Sequence, residues 1–203
     1  FRNVLPISIS KTKAEQSIGG NFDINYRTAL SKKMFFSINA LLFYTQVKNP
    51  LLLVANPNGY HEFQQPKGFI DTKGIETIVK LTYGDFKLFI GYTLADVKQH
   101  YSTTTDFPLV ARHRLNNVLM YEIEDKLKIG LEAYYFSPQK LNDGATGKPY
   151  WINGLMVEKL WERFSIFVNF ENFLDTRQTR FDTIYTGTIT NPTFRDIYAP
   201  VDG

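Results

Sequence analysis

Three histidines, His61, His100 and His113, are the side chains best suited to metal binding or general-base work. None has a second ligand-type residue at the i, i+4 spacing that a metal-binding helix uses. His100 lies near Asp96 and Asp106 in sequence, the kind of pairing a surface hydrolase uses to orient a base; a loop histidine without catalytic duty is the simpler reading. Gly144-Ala145-Thr146-Gly147-Lys148 has the composition of a phosphate loop. Its glycine spacing is wrong, Pro149 stands where Ser or Thr would hold a metal, and no helical pattern follows. Cysteine is absent, which removes disulfides, thiolate metal sites and cysteine nucleophiles. No catalytic residue, metal or bound cofactor is expected.

Binding is better served than catalysis. Tyr60, His61, Glu62, Gln64 and Gln65 mix aromatic and polar groups in one connecting segment, and His100, Tyr101 and Trp151 stand at similar junctions. Binding residues concentrate on loops held by a rigid frame. Arg177 and Arg180 suit an anionic ligand through charge-assisted hydrogen bonds, and would equally order their own loop by pairing with Asp175 and Asp182. A second set recurs at alternate positions of periodic segments: Glu76, Lys80, Lys87, Arg114, Glu122, Lys128, Glu132 and Glu171. These would line a substrate path or form a solvated wall held by ion pairs and water, and the wall is the simpler reading.

The elements that must position these groups read as strands. Apolar residues alternate with period two: Ile18, Phe22, Ile24 and Tyr26 oppose Asn21, Asp23, Asn25 and Arg27, and Ile75, Val79, Leu81 and Tyr83 oppose Glu76, Lys80 and Thr82. Phe86 to Leu94, Leu115 to Ile123, Leu127 to Phe136, Tyr150 to Glu158 and Phe164 to Phe173 continue the series, and Phe35 to Val47 is the least regular. This gives eight strands and no helix. The longest apolar runs, such as residues 40–44 and 51–55, fall far short of the roughly 20 residues of a membrane-spanning helix, but a barrel strand needs only about 10 of alternating character. Mean hydropathy of -0.24 suits a wall with one wet face.

Connections decide between architectures. Those around 31–33, 84–85, 124–126 and 160–163 are short, and they alternate with long ones at 49–68, 98–111, 138–149 and from 175 onward. All long loops at one end is the pattern of an outer-membrane barrel. Aromatics make up 15% of the chain, with 17 Phe and 12 Tyr, and they fall in two rows. Tyr26, Phe36, Tyr83, Phe86, Tyr121, Trp161 and Phe164 lie near the short turns; Tyr44, Tyr92, Tyr135, Trp151 and Phe173 lie near the long loops. Two girdles flanking aliphatic positions mark a membrane barrel. Net charge is +3 with both signs interspersed, so no nucleic-acid footprint is present. The expected fold is therefore all-β: a transmembrane, antiparallel, up-and-down β-barrel. Both ends of the eight strands would lie on the long-loop side. The chain opens at Phe1 without a signal peptide and finishes on Ala199-Pro200-Val201-Asp202-Gly203 without a closing strand, and so reads as a section of something larger.

Two segments carry a family resemblance. Asn3-Val4-Leu5-Pro6 with Ala14-Glu15-Gln16-Ser17-Ile18-Gly19-Gly20-Asn21, and Tyr150 to Glu158 followed by Phe167-Val168-Asn169-Phe170-Glu171-Asn172-Phe173-Leu174-Asp175-Thr176-Arg177-Gln178-Thr179-Arg180, resemble the barrel of TonB-dependent outer-membrane receptors, the latter in the Bacteroidetes style. The resemblance implies a barrel of about 22 strands with an N-terminal plug. Residues 1–203 would be the C-terminal part of the barrel domain, with the plug, earlier strands and last strand absent. It also implies uptake across a Gram-negative outer membrane of a ferric siderophore, haem, cobalamin or glycan. The partners would be a TonB complex acting through the plug, outer-membrane lipid and, over the loops, a surface lipoprotein. The alternatives are a stand-alone eight-stranded barrel acting as adhesin, structural anchor or hydrolase, and a soluble β-sandwich binding module.

Overall fold

The computed structural model describes residues 3–7 and 12–201; Phe1, Asp202 and Gly203 lie outside the described residues. Eight long strands dominate: β1 (Gln16–Ser31), β2 (Met34–Lys48), β5 (Phe69–Tyr83), β6 (Phe86–His100), β8 (His113–Ile123), β9 (Leu127–Phe136), β10 (Tyr150–Leu160) and β11 (Ser165–Phe170). They pair antiparallel in chain order, β1-β2-β5-β6-β8-β9-β10-β11. Short connections at one end and long ones at the other follow directly. Gly84 takes φ +55 in the two-residue turn before β6, a left-handed conformation that glycine adopts at no steric cost.

Register separates the two faces, because directly opposed residues of an antiparallel pair project to the same side. One side carries the rows Phe22–Leu42–Ile75–Leu94, Tyr26–Ile38–Val79–Ile90 and Leu88–Leu119–Leu131–Leu155–Phe170. On β6 this side is uncharged from Phe86 to Leu94, and Asp96 and Lys98 follow at once. Eight steps of about 3.4 Å make about 27 Å along the strand. At a tilt near 40° that is about 20 Å of height, close to the roughly 25 Å apolar band of an outer-membrane barrel. Phe22, Leu42, Ile90, Leu119, Leu131 and Ile166 are all exposed on this belt. Among the described residues no second sheet packs on it, as the β-sandwich alternative would require.

The belt is bounded as the aromatic pattern predicts. Phe86 and Tyr121 meet at 4.9 Å and Trp161 stacks on Phe164 at 4.8 Å near the short turns. Tyr135 meets Trp151 at 5.0 Å near the long loops. Lys159, on the belt side close to a short turn, reaches back over the Trp161 ring at 5.8 Å, which keeps its ammonium at the aqueous margin.

Several features depart from the sequence expectation. A ninth strand, β7 (Thr104–Asp106), folds back onto β6. The loop at 49–68 contains the hairpin of β3 (Leu52–Ala55) and β4 (His61–Gln64), and the last loop contains a single helical turn, α1 (Gln178–Phe181), and the hairpin of β12 (Tyr185–Thr188) and β13 (Asn191–Phe194). Elements of three or four residues are too short to show a period, which is why these segments read as irregular loops. The open sheet, by contrast, is what a section of a larger barrel is expected to show. β1 and β11 lie at opposite edges and do not pair, whereas a closed eight-stranded barrel would require that pairing.

Candidate functional site

The face opposite the belt is polar and partly self-neutralised. One continuous row across it reads Asp23–Leu41–Glu76–Thr93–Arg114–Phe136–Tyr150. Lys87 pairs with Glu122, and Lys128 with Glu158 at 3.4 Å. The Lys80 ammonium lies 5.0 Å from the Phe89 ring centre. Tyr134 donates to Glu132 at 2.6 Å, and Asn169 to Glu171 at 3.0 Å. All eight residues expected to line the interior, Glu76, Lys80, Lys87, Arg114, Glu122, Lys128, Glu132 and Glu171, stand on this face, Glu171 just beyond the end of β11.

Above this wall, two long loops are fastened together into a cap. Leu141, Tyr150, Tyr198 and Ala199 form a small buried cluster, against which Phe136 and Phe181 pack; Phe136 and Tyr150 stack at 4.9 Å. Gln178 is its polar hub and is fully buried. Its side-chain oxygen accepts from the Tyr198 and Ala199 N–H groups at 2.9 and 3.3 Å, and its side-chain nitrogen donates to the Asp196 carbonyl at 3.0 Å. Its backbone N–H reaches the Pro200 carbonyl at 2.7 Å. Tyr150 donates to the Tyr198 carbonyl at 2.8 Å, and Tyr198 donates to Asp182 at 2.6 Å. Arg195 bridges Asp143 at 2.9 Å and Asp182 at 3.5 Å. Gly147 is required here, since a Cβ at that position would stand 2.6 Å from the Tyr198 ring.

The cap's charges set its acid response. The Tyr198 hydroxyl, the Thr183 N–H and the Arg195 guanidinium hold Asp182 below the usual carboxylate range. The Ala145 N–H and then Arg195 do the same for Asp143. Burial, reinforced by the Asp182 carboxylate, pushes the Tyr198 hydroxyl up to about 12. Depressed carboxyls add stability that is complete above their unfolded pKa of about 4 and is lost as pH falls through the folded values. Amide protection across residues 178–201 is therefore expected to hold from about pH 7 to 5 and to decline below about pH 4, measured by pH-stepped hydrogen exchange. Unchanged protection at low pH would show that these carboxylates do not fasten the cap.

The sequence candidates do not converge. Arg177 and Arg180 both pair with Asp175. Asp182, also expected to pair with them, instead belongs to Tyr198 and Arg195. Asn172 closes the same bend, accepting from the Thr176 N–H and donating to the Thr176 carbonyl, both at 2.9 Å. Gln65 is consumed structurally, bonding Lys13 through both of its side-chain polar atoms and Asn49 through its nitrogen. Glu62 accepts from Gln64 at 2.7 Å; His61 pairs through its backbone with Asn3 and Leu5; Tyr60 is exposed. His100 faces the belt side, stacked on Phe69 at 4.4 Å. Its partners are Asp71 at 2.8 Å and its cross-strand neighbour Thr104 at 3.1 Å, and not Asp96 or Asp106, which pair with Lys98. The contact fastens β7 to β6. The Tyr101 hydroxyl is buried without a hydrogen-bond partner, and burial raises its pKa. Trp151 belongs to the upper aromatic row on the belt side, away from the cap.

Sequence reasoning passed over Gln178, Tyr198 and Arg195. Gln178 stood inside the Arg-Gln-Thr-Arg run, where the arginines drew attention because charge announces itself and a buried amide does not.

These features define a class: an antiparallel, up-and-down sheet of the outer-membrane-barrel kind, with tight turns below and a fastened loop cap above. Comparison with solved structures narrows it to one family's fold. The ferric-catecholate import receptor Fiu of E. coli superposes with a TM-score of 0.56 at 17% identity, over 82% of this chain and 24% of that one. The FrpB iron transporter of Neisseria meningitidis gives 0.58 at 17%, over 80% and 26%. The siderophore receptor PirA of Acinetobacter baumannii gives 0.57 at 17%, over 83% and 29%. The chain thus has the fold of a portion of a TonB-dependent receptor barrel and spans about a quarter of the length of these receptors. No family model matches it, and no curated protein matches it in sequence.

Proposed function

We propose that residues 1–203 are the C-terminal part of the barrel domain of a TonB-dependent receptor in a Gram-negative outer membrane. In this reading the intact protein takes up a scarce ligand: a ferric siderophore, haem, cobalamin or a glycan. The uncharged belt, about 20 Å high and edged by aromatic rows, carries the reading. So continuous an exposed apolar surface, with the height of a barrel's lipid-facing band, supports contact with lipid. The polar face then lines the interior, where charges such as Lys87 and Glu122 remain hydrated. The cap faces the exterior, with the ligand and a surface lipoprotein as its candidate partners. TonB engages the plug and does not touch these residues. No covalent chemistry is assigned to the chain.

The test is uptake by cells producing the intact protein. Labelled ferric siderophores, haem, cobalamin and oligosaccharides are offered singly, with and without a protonophore. Saturable uptake of one class that collapses with the proton-motive force is the expected result. Cell adhesion without energised uptake of any class would favour the adhesin reading, which the unpaired edges β1 and β11 already disfavour.

A further inference from the structure

The belt is not uniformly apolar. Between its aromatic rows, among the described residues, it carries two side-chain amides, and they share one row: Ile90–Asn117–Ala133–Asn153. The row above reads Leu115–Tyr135–Trp151, and the row below Leu119–Leu131–Leu155. Three short side chains between rows of long ones leave a shallow trough across β8, β9 and β10. The trough is no product of the open sheet, because β8, β9 and β10 are each paired on both sides.

Neither side-chain amide has a hydrogen-bond partner among the described residues. They stand two strand spacings apart, about 10 Å, too far to bond each other. Acyl chains offer no donor or acceptor, so an unpaired amide among them is strongly unfavourable. Depth distinguishes the two. Asn153 is two residues from Trp151 in the upper aromatic row, where interfacial water reaches it. Asn117 is four residues from Tyr121 on one side and four from His113 on the other. It opposes Ile90, the middle of the uncharged stretch of β6. A partner for Asn117 therefore has to come from another molecule at membrane depth.

We infer that this trough is a contact between two copies of the protein lying side by side in the membrane. Copies inserted in the same sense are related by a two-fold axis along the membrane normal, which sets the same patch on both sides. A primary amide suits that position because it is complementary to itself. With Asn117 near the axis, each copy's amide N–H donates to the other's amide oxygen, and both are satisfied. Ala133 beside it lets the two walls approach closely, as small residues do where membrane-embedded elements pack. Leu119 and Leu131, exposed on the single chain, then close over the amide pair. The contact rests on the outer-membrane reading, since without hydrocarbon around it the amide would simply be hydrated.

The test uses the intact protein, first in mild detergent and then in lipid bilayers. Its native mass in detergent is expected to be twice that of one chain, and Asn117→Leu is expected to return it to the mass of one. Leucine makes the belt more apolar, so the variant barrel still inserts, and Asn117→Gln, which keeps the amide, is expected to retain part of the dimer. In bilayers, spin labels are placed singly at Tyr121→Cys on β8 and Tyr26→Cys on β1, four strands away. Both positions lie in the aromatic row near the short turns, outside the trough. The label on β8 is expected to give the shorter distance between copies, and Asn117→Leu to reduce its coupled fraction at least fivefold. A shorter distance from β1, a complex of any other mass, or a dimer indifferent to Asn117→Leu overturns the contact. The two readings fail separately. Protein that does not enter bilayers removes the membrane reading, whereas protein that enters them and stays monomeric removes the contact alone.

Discussion

Lysine at position 90 is expected to destabilise the assembled barrel by about 2–4 kcal/mol, and lysine at position 78 by less than about 1 kcal/mol. The contrast is informative because solvent exposure does not predict it: Ile90 is 37% exposed and Ile78 is 43% exposed. Both sit mid-strand in adjacent elements, β5 and β6. They differ only in face. Ile90 is opposed by Val79 and Asn117 on the belt side, and Ile78 by Asn39 and Gly91 on the polar side. Ile90 is also four residues from both Phe86 and Leu94, at the centre of the uncharged stretch, where a buried ammonium has least chance of reaching water. The measurement is the urea midpoint of the barrel folded in lipid bilayers. If Ile90→Lys and Ile78→Lys shift it equally, the belt does not face hydrocarbon, and the membrane assignment goes with it.

That contrast also shows what the sequence could disclose. Period two assigned Ile75, Val79 and Leu81 to one face and Glu76, Lys80 and Thr82 to the other, because a strand leaves no third choice. Even Met34–Lys48, the least regular strand in sequence, falls into place once its register is fixed by the cleaner neighbours β1 and β5. Its polar face carries Phe35, Leu41 and Phe43, which blur the alternation; Leu41 and Phe43 are half-buried, while Phe35 is exposed. The alternation of short and long connections was equally legible. Contacts between loops were not. His100 was read against the acids nearest in sequence, while strand pairing brings it to Asp71, twenty-nine positions earlier. Arg195 and Asp143 meet across fifty-two positions. No local pattern announces such pairs, because they depend on how two irregular segments fold onto one another.

Gln178→Leu is expected to release the last loop while leaving the strands intact. The leucine matches the volume of the amide but satisfies none of its bonds. It would strand the Tyr198 and Ala199 N–H groups and the Asp196 carbonyl next to a fully buried side chain. Leaving buried groups of this kind unpaired costs about 1–3 kcal/mol each, and relaxation of the loop limits the sum to roughly 2–4 kcal/mol of local opening. Hydrogen exchange of amides 195–200 in the folded barrel should then accelerate by roughly thirtyfold or more, since about 1.4 kcal/mol is tenfold. Amides of β5 and β6 should exchange as before, because no bond from Gln178 reaches them. Arg180→Gln supplies the comparison: its partner Asp175 retains Arg177, and an exposed ion pair contributes little. If Arg180→Gln loosens the loop as much as Gln178→Leu, the charges of the motif hold the cap and the buried amide does not. If Gln178→Leu alone does so, the uncharged member of the Arg-Gln-Thr-Arg run is its structural centre. The arginines beside it then serve the bend at Asp175.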